Sequence, residues 1–413
     1  MSHLIALPKL FSVTVLASAL ILAGCNDDDN DNASNNVSTS LVTKTENYAP
    51  QQTEADTSVS QKITYKMPSV TGGQTTATAV VMIPKGTMPT AGWPVIVWAH
   101  GTTGVADQCA PSNLTDSNGQ FNLGGTLPLV KQLLSQGYAV IAPDYEGLGS
   151  TGIHPFLNAK SESQSIISAL KAAEQQYRNQ LSENWVVVGH SQGGHAAIAA
   201  AERADEAGLN FKGVVAYAPA SNLDAILGGG YQQVANALPT AAGVPTAKAI
   251  LPGLQAFSAL VSAGIRESHP DFNYTDAFTS NRSATIAAKA ESECITPLGG
   301  AFSSDITAYY DVPANASTLY PGLSTTFYNV PAIAEFLNNS KLATKQVSQP
   351  MLIIQGEADT TVPAAATRLL ESQLKEKGNT VNVAYLPGKD HGTVITEGTS
   401  YLYGFLQQNM PAK

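Results

Sequence analysis

The chain has 413 residues, of which 43% are hydrophobic, enough to fill one large core or two medium ones. Only 13% are charged and the formal net charge is −10. That balance excludes nucleic acid or an anionic lipid surface as the main partner, because both require a basic face.

The N-terminus reads as a targeting segment, residues 1–24. LFSVTVLASALILAG is an uncharged apolar run that ends at LAGC, and Cys25 closes it. The run is short for a membrane span of about 20 residues. Its end resembles a bacterial lipobox, which implies cleavage before Cys25 and lipid on that cysteine. Asn26 follows it where an Asp would resemble an inner-membrane retention signal. These features predict a lipid-anchored protein of the bacterial cell envelope, the outer membrane favoured, or a secreted one. Of three cysteines, Cys109 and Cys294 remain. Export places both in an oxidising compartment, where they are expected to pair; two buried thiols are the alternative. NDDDNDNASNNVSTS follows, with almost nothing apolar, so residues 25–58 read as a flexible tether.

The folded body is expected over 59–413. QKITYKM and TTATAVVMIP read as strands joined by a glycine-containing turn. WPVIVWAHG is a continuous apolar run, as a strand covered on both faces would be. LPLVKQLLSQGY carries helical periodicity and ends with Gly137 at a plausible C-cap. AVIAPDYEG is the next buried strand, a helix is expected over about 162–181, and NWVVVGH is another strand. An Ala-rich helix opens near Gly193, and FKGVVAYAP, PMLIIQGEAD and VNVAYLPG complete the strands, with helical patterns at about 364–377 and 396–409. Strands alternating with helices predict an α/β fold: a mostly parallel, doubly wound sheet. Between about 222 and 347 the alternation breaks. Lys248 is the only charge between Asp224 and Arg266. So long a loop would be unusual, and the stretch is expected to be an inserted, mainly helical cap.

GHSQG, residues 189–193, is a weak motif by itself. Here it follows an apolar strand and opens a helix, the setting of a nucleophile elbow, which makes Ser191 the candidate nucleophile. A serine hydroxyl needs a base that accepts a proton near neutral pH and returns it. Of seven histidines, His391 sits just past the final strand in PGKDHGTV, where a loop can aim it back at the sheet edge. His190 abuts the nucleophile and is expected to point elsewhere. His100 is expected to shape a loop, and His154, His195 and His269 have no evident partner. The carboxylate that orients the imidazole is Asp359 or Glu357, after the penultimate strand; Asp359 is preferred, since Glu357 lies closer to the strand. Asp390 adjoins His391 too closely to reach its ring from the far side. The order Ser191, Asp359, His391 is that of α/β-hydrolases. The oxyanion donors are the N–H of Gln192, after the nucleophile, and that of Thr102 in HGTTG, with Thr103 as the fallback. The scattered histidines lack the spacing of a zinc site, and no dinucleotide or P-loop fingerprint follows a strand.

PDYEGLGSTGIHPFL, GHSQGGHAA, APASNLDAI and QGEADTTVP together resemble the secretory lipases of the α/β-hydrolase superfamily, the yeast lipase A type and its bacterial relatives. The resemblance runs from about residue 75 to the end and is loose in the cap. It departs at HGTTG, where the yeast enzymes carry a different sequence, and at the lipobox, which they lack. It implies a secreted lipase or esterase with a Ser-Asp-His triad, a helical lid and no cofactor or metal. It also implies a Cys109–Cys294 disulfide between the region after the oxyanion loop and the cap. Residues and resemblance together predict a carboxylic ester hydrolase, a lipase foremost, whose partners are an ester or lipid substrate and a membrane reached through Cys25. A short-chain, feruloyl or polyester esterase, a peptidase, or a non-catalytic surface protein are the alternatives.

Overall fold

The computed structural model describes residues 40–49 and 56–412. Nine strands form one sheet: β1 (Val42–Asn47), β2 (Thr57–Pro68), β3 (Gln74–Pro84), β4 (Trp93–Ala99), β5 (Ala139–Pro143), β6 (Leu181–His190), β7 (Asn210–Tyr217), β8 (Met351–Gly356) and β9 (Val381–Leu386). Their order is β1-β2-β3-β5-β4-β6-β7-β8-β9. The first three pairings are antiparallel and the rest parallel. This is the α/β-hydrolase architecture.

Side-chain alternation explains why the central strands are apolar throughout. Val95, Val97 and Ala99 of β4 enter the core beneath α2 (Ala159–Tyr177) and α3 (Gln192–Ala201). Ile96 and Trp98 point the other way, into the core shared with α1 (Leu127–Ser135) and Phe405 and Leu406 near the C-terminus. With both faces covered, no position on these strands can be polar at low cost. Gly137 closes α1 at φ +87°, and the Tyr138 N–H returns to the Leu133 carbonyl at 3.1 Å. α2 starts earlier than periodicity predicts because the Asn158 side chain accepts from the Lys160 and Ser161 N–H groups and caps it.

Between β7 and β8 the chain makes a helical insertion: α4 (Leu223–Ala237), α5 (Gly243–Ile265), α6 (Tyr274–Ala277), α7 (Asn281–Ala288), α8 (Ile295–Tyr310) and α9 (Pro331–Asn339). It has its own apolar core, including Tyr231, Leu251, Leu260, Phe302 and Phe336. That core explains the near absence of charge. Among the described residues α5 is the one helix long and apolar enough to cross a membrane, and 67% of its apolar window is buried, as befits the central helix of a packed layer. After β8 come α10 (Ala364–Glu376), then β9, α11 (Thr393–Glu397) and α12 (Thr399–Asn409).

Two expectations differ from the structure. The stretch 25–58 read as a tether contains β1, which pairs antiparallel with β2, and β2 begins at Thr57. β1 reads VTKTEN and is almost wholly exposed, an edge strand held by backbone bonds with no apolar alternation to betray it. The lipid-anchor reading is corrected as well. The cysteine chemistry in the described structure is the Cys109–Cys294 disulfide, which argues against a lipid-anchoring cysteine. Residues 1–39, and Cys25 with them, lie outside the described residues. The substrate half of that expectation stands apart from the anchor.

Candidate active site

β6 delivers Ser191 to the carboxyl edge of the sheet, and α3 departs from it at once. Ser191 takes φ +58° and ψ −117°, a conformation that L-residues adopt only under constraint. The constraint comes from the glycines. A Cβ on Gly189 would stand 2.0 Å from the Gly193 carbonyl oxygen, and one on Gly193 would stand 1.9 Å from that of Ala99. The strand-to-helix turn is therefore packed backbone against backbone. The Ser191 N–H donates to the Tyr217 carbonyl at 2.9 Å, and the Ser191 carbonyl accepts from His195 and Ala220, each at 3.1 Å. Ser191 is 8% exposed, at the N-cap of α3, where free N–H groups and the helix dipole favour a developing negative charge.

Asp359 lies in the turn after β8. Its Oδ1 accepts from the Thr361 and Val362 N–H groups at 2.8 and 2.9 Å. Its Oδ2 faces His391 Nδ1 at 2.7 Å and also accepts from Gln355 Nε2 at 3.3 Å. The pairing leaves His391 Nε2 as the nitrogen able to exchange a proton with a substrate or nucleophile. Glu357 turns outward to Arg368, 2.9 Å away and largely exposed. Asp390 accepts from Thr393, whose hydrogen bonds hold its carboxyl below the usual range, and so it ties down the start of α11. The loop that carries His391 is seated by Gly356, where a Cβ would meet the Lys389 carbonyl oxygen at 2.3 Å.

His190 was expected to point elsewhere, yet its ring lies 4.5 Å from that of His391, centroid to centroid. Its Nε2–H donates to the His391 carbonyl at 2.8 Å. Burial, assisted by the neighbouring His391, lowers the His190 pKa to about 4, so it stays neutral and clamps the loop that carries His391 onto the elbow. No hydrogen bond joins Ser191 Oγ to the His391 ring among the described residues. Such catalytic bonds are often long before substrate binds.

The loop after β4 passes directly against the elbow. A Cβ on Gly101 would lie 3.3 Å from the His190 carbonyl oxygen and 3.8 Å from Ser191 Cβ. Among the described residues neither the Thr102 nor the Gln192 backbone N–H donates to a protein acceptor. The Thr103 N–H likewise donates to no protein acceptor among the described residues; its carbonyl accepts from the Ile295 N–H at 2.9 Å, beside the disulfide that joins this loop to the start of α8. His100 shapes the loop as expected, its ring stacked on Tyr145 at 4.1 Å and its carbonyl accepting from the Tyr145 hydroxyl at 3.1 Å.

All three histidines without a sequence-level partner acquire one. His154 Nδ1 faces the Glu146 carbonyl at 2.9 Å, and its Nε2 faces Gln192 Nε2 at 2.7 Å. His195 Nδ1 faces Glu162 Oε2 at 2.6 Å. His195 stands four residues after Ser191, so helical spacing puts it beneath the elbow; its partner comes from α2, which no local pattern reveals. His269 meets Glu335 at 3.4 Å, partly exposed.

The arrangement presents a serine on a strained backbone, a carboxylate-held imidazole and unpaired N–H groups at one edge of the sheet. A family model described as secretory lipase matches residues 118–400. Candida antarctica lipase A in its closed state is similar in structure, with 18% identity over 90% of this chain and 83% of that one, at a TM-score of 0.66. A ligand-bound form of the rice cell wall degrading esterase LipA from Xanthomonas oryzae shares 18% identity over 89% of this chain and 96% of its own, at a TM-score of 0.62. A putative hydrolase from Legionella pneumophila gives 18%, 89%, 97% and 0.62 for the same quantities. At such identities the likeness establishes the fold. No curated protein matches the chain.

Proposed function

The chain belongs to the secretory lipase family, whose α/β-hydrolase members cleave esters, and from that premise we propose how this one acts and on what. It is a serine ester hydrolase. Ser191 Oγ attacks the ester carbonyl carbon while His391 Nε2 takes its proton. Asp359 holds Nδ1 and stabilises the imidazolium that results. The oxyanion is received by the Gln192 and Thr102 N–H groups, each such donor being worth about 3–4 kcal/mol in the transition state. The carbon–oxygen bond to the leaving alcohol breaks as Nε2 returns the proton. A water molecule then gives its proton to Nε2 as it attacks the acyl carbon; the bond from that carbon to Ser191 Oγ breaks, Nε2 returns the proton to Oγ, and the acid leaves.

The observation that carries this reading is the 2.7 Å bond from His391 Nδ1 to Asp359, at the edge where Ser191 is held at φ +58°. The substrate proposed is a lipid ester, with the helical insertion at about 222–347 acting as a cap over the site. The disulfide supports an exported protein, since such bonds persist outside the reducing cytosol. Rates on nitrophenyl esters from acetyl to palmitoyl test it. Turnover rising beyond butyl, lost in Ser191→Ala and blocked by a fluorophosphonate that labels Ser191, is the expected result. A profile peaking at acetyl would replace lipase by short-chain esterase. Unlabelled Ser191 would overturn the mechanism.

A further inference from the structure

A chain of polar side chains lies buried beneath the elbow and takes no part in proton transfer. Glu162, His154 and His195 are each 0% exposed, and Gln192 is 1% exposed. Charged groups are almost never buried so completely unless paired, so their hydrogen bonds have to be accounted for one by one.

The direction of each bond follows from groups that can only accept. The Glu146 carbonyl accepts from His154 Nδ1–H at 2.9 Å, which leaves His154 Nε2 bare. That nitrogen accepts one hydrogen of the Gln192 amide at 2.7 Å. The other amide hydrogen goes to Glu162 Oε1 at 2.8 Å. Glu162 Oε2 faces His195 Nδ1 at 2.6 Å, and His195 Nε2 donates to the Ser340 carbonyl, at the end of the helical insertion, at 2.9 Å. Both hydrogens of the Gln192 amide are thereby committed, to two different neighbours, while its Oε1 is buried without a hydrogen-bond partner. The backbone of that same residue supplies an N–H to the oxyanion.

We propose that Glu162 and His195, with His154, are positioning residues for the oxyanion hole, locking the Gln192 side chain and through it the N–H that meets the developing charge. The role rests on the ester-hydrolase reading above. It belongs to the transition state, because the N–H is needed where negative charge appears and hardly at all for holding the neutral ester. Loosening the lock therefore lowers kcat and leaves KM in place.

The test compares full-length wild type, Gln192→Ala, Glu162→Ala and Glu162→Gln on p-nitrophenyl butyrate. Each kcat is divided by the concentration of active sites titrated with a fluorophosphonate, which removes any loss of folded protein from the comparison. Gln192→Ala keeps its backbone N–H and the Glu162–His195 pair. It is expected to lose about tenfold or more in kcat, with KM within about twofold. Glu162→Ala is expected to match it. Glu162→Gln should stay within about threefold of wild type, because an amide oxygen still accepts from Gln192 and an amide N–H can donate to a neutral His195 Nδ1. Wild-type kcat per site in Gln192→Ala, or equal losses in Glu162→Gln and Glu162→Ala, would overturn the inference; should Glu162→Ala not fold, Gln192→Ala decides. A wild-type chain without turnover, or an active Ser191→Ala variant, would instead remove the ester-hydrolase reading itself.

Discussion

Ser191 is held in a conformation that costs of order 1–3 kcal/mol for a residue with a side chain, because Gly189, Gly193 and the Tyr217 carbonyl over-determine the turn around it. Glycine carries no such cost, while its extra freedom in the unfolded chain takes back about 0.5–1 kcal/mol. Ser191→Gly should therefore raise unfolding free energy by about 1 kcal/mol in urea titration while removing all turnover, and Ser191→Ala should lose turnover without that gain. A less stable glycine variant would mean the strain is not there. Asp359 allows a second argument. Its Oδ1 is committed to two backbone N–H groups, so an Asn placed there keeps its oxygen on that side and turns its NH₂ toward His391 Nδ1. The imidazole must then take the wrong tautomer, and Asp359→Asn is expected to lower kcat about 10⁴-fold at unchanged stability. A loss under tenfold would remove Asp359 from the mechanism. The turns that carry Ser191, Asp359 and His391, the triad proposed above, were legible because each follows a strand's carboxyl end. His190 was not: its partner is a carbonyl 201 residues away in sequence, and only the strand order β6-β7-β8-β9 brings the two together.

At the scale of elements, strands such as β4, β5 and β8 could be read from runs of buried apolar residues, since each is covered on both faces. β1 could not, because an exposed edge strand satisfies only its backbone and leaves its side chains free to be polar. The pairing of Cys109 with Cys294 was reachable by counting. What counting could not show is where the bond acts. It fastens the turn after the oxyanion loop to the start of α8, next to the Ile295-to-Thr103 hydrogen bond, and a Cβ on Gly104 would strike the Cys109 sulfur at 2.6 Å. The bond closes a loop across 185 residues of sequence, for which chain entropy allows about 5 kcal/mol and measured bridges typically give about 2–4. Cys294→Ala should lower thermal stability by several degrees. It should also lower kcat more than it raises KM, because the loop it frees carries Thr102, the proposed oxyanion donor. Full kcat at reduced stability would make the bridge purely structural.

Over the whole molecule, the helical insertion was legible as a break in the strand-and-helix alternation, and its low charge is explained by a core of its own. Its path was not legible, because helix packing is settled by contacts distant in sequence. Three histidines, His154, His190 and His195, lie buried around the elbow, which gives global stability a calculable pH dependence. Burial lowers the His154 pKa to about 3 and, with His391 nearby, that of His190 to about 4. In the unfolded chain both return to about 6.5. Below that value the unfolded state binds protons that the folded state refuses. The stabilisation is therefore complete above about pH 6.5 and is lost as pH falls toward the folded values, with a slope of up to about 1.4 kcal/mol per pH unit for each group. His195 behaves oppositely: burial lowers its pKa, but the Glu162 carboxylate outweighs burial and raises it. Its contribution is full below about 6.5 and fades as pH rises through the folded value. These histidines together place the maximum of stability near neutrality. Urea midpoints measured from pH 7 to 4.5 should fall for the wild type and fall distinctly less for His154→Gln, whose side chain can still accept from Gln192 but cannot take up a proton on unfolding. Parallel curves for the two proteins would mean that His154 is not held neutral by the fold.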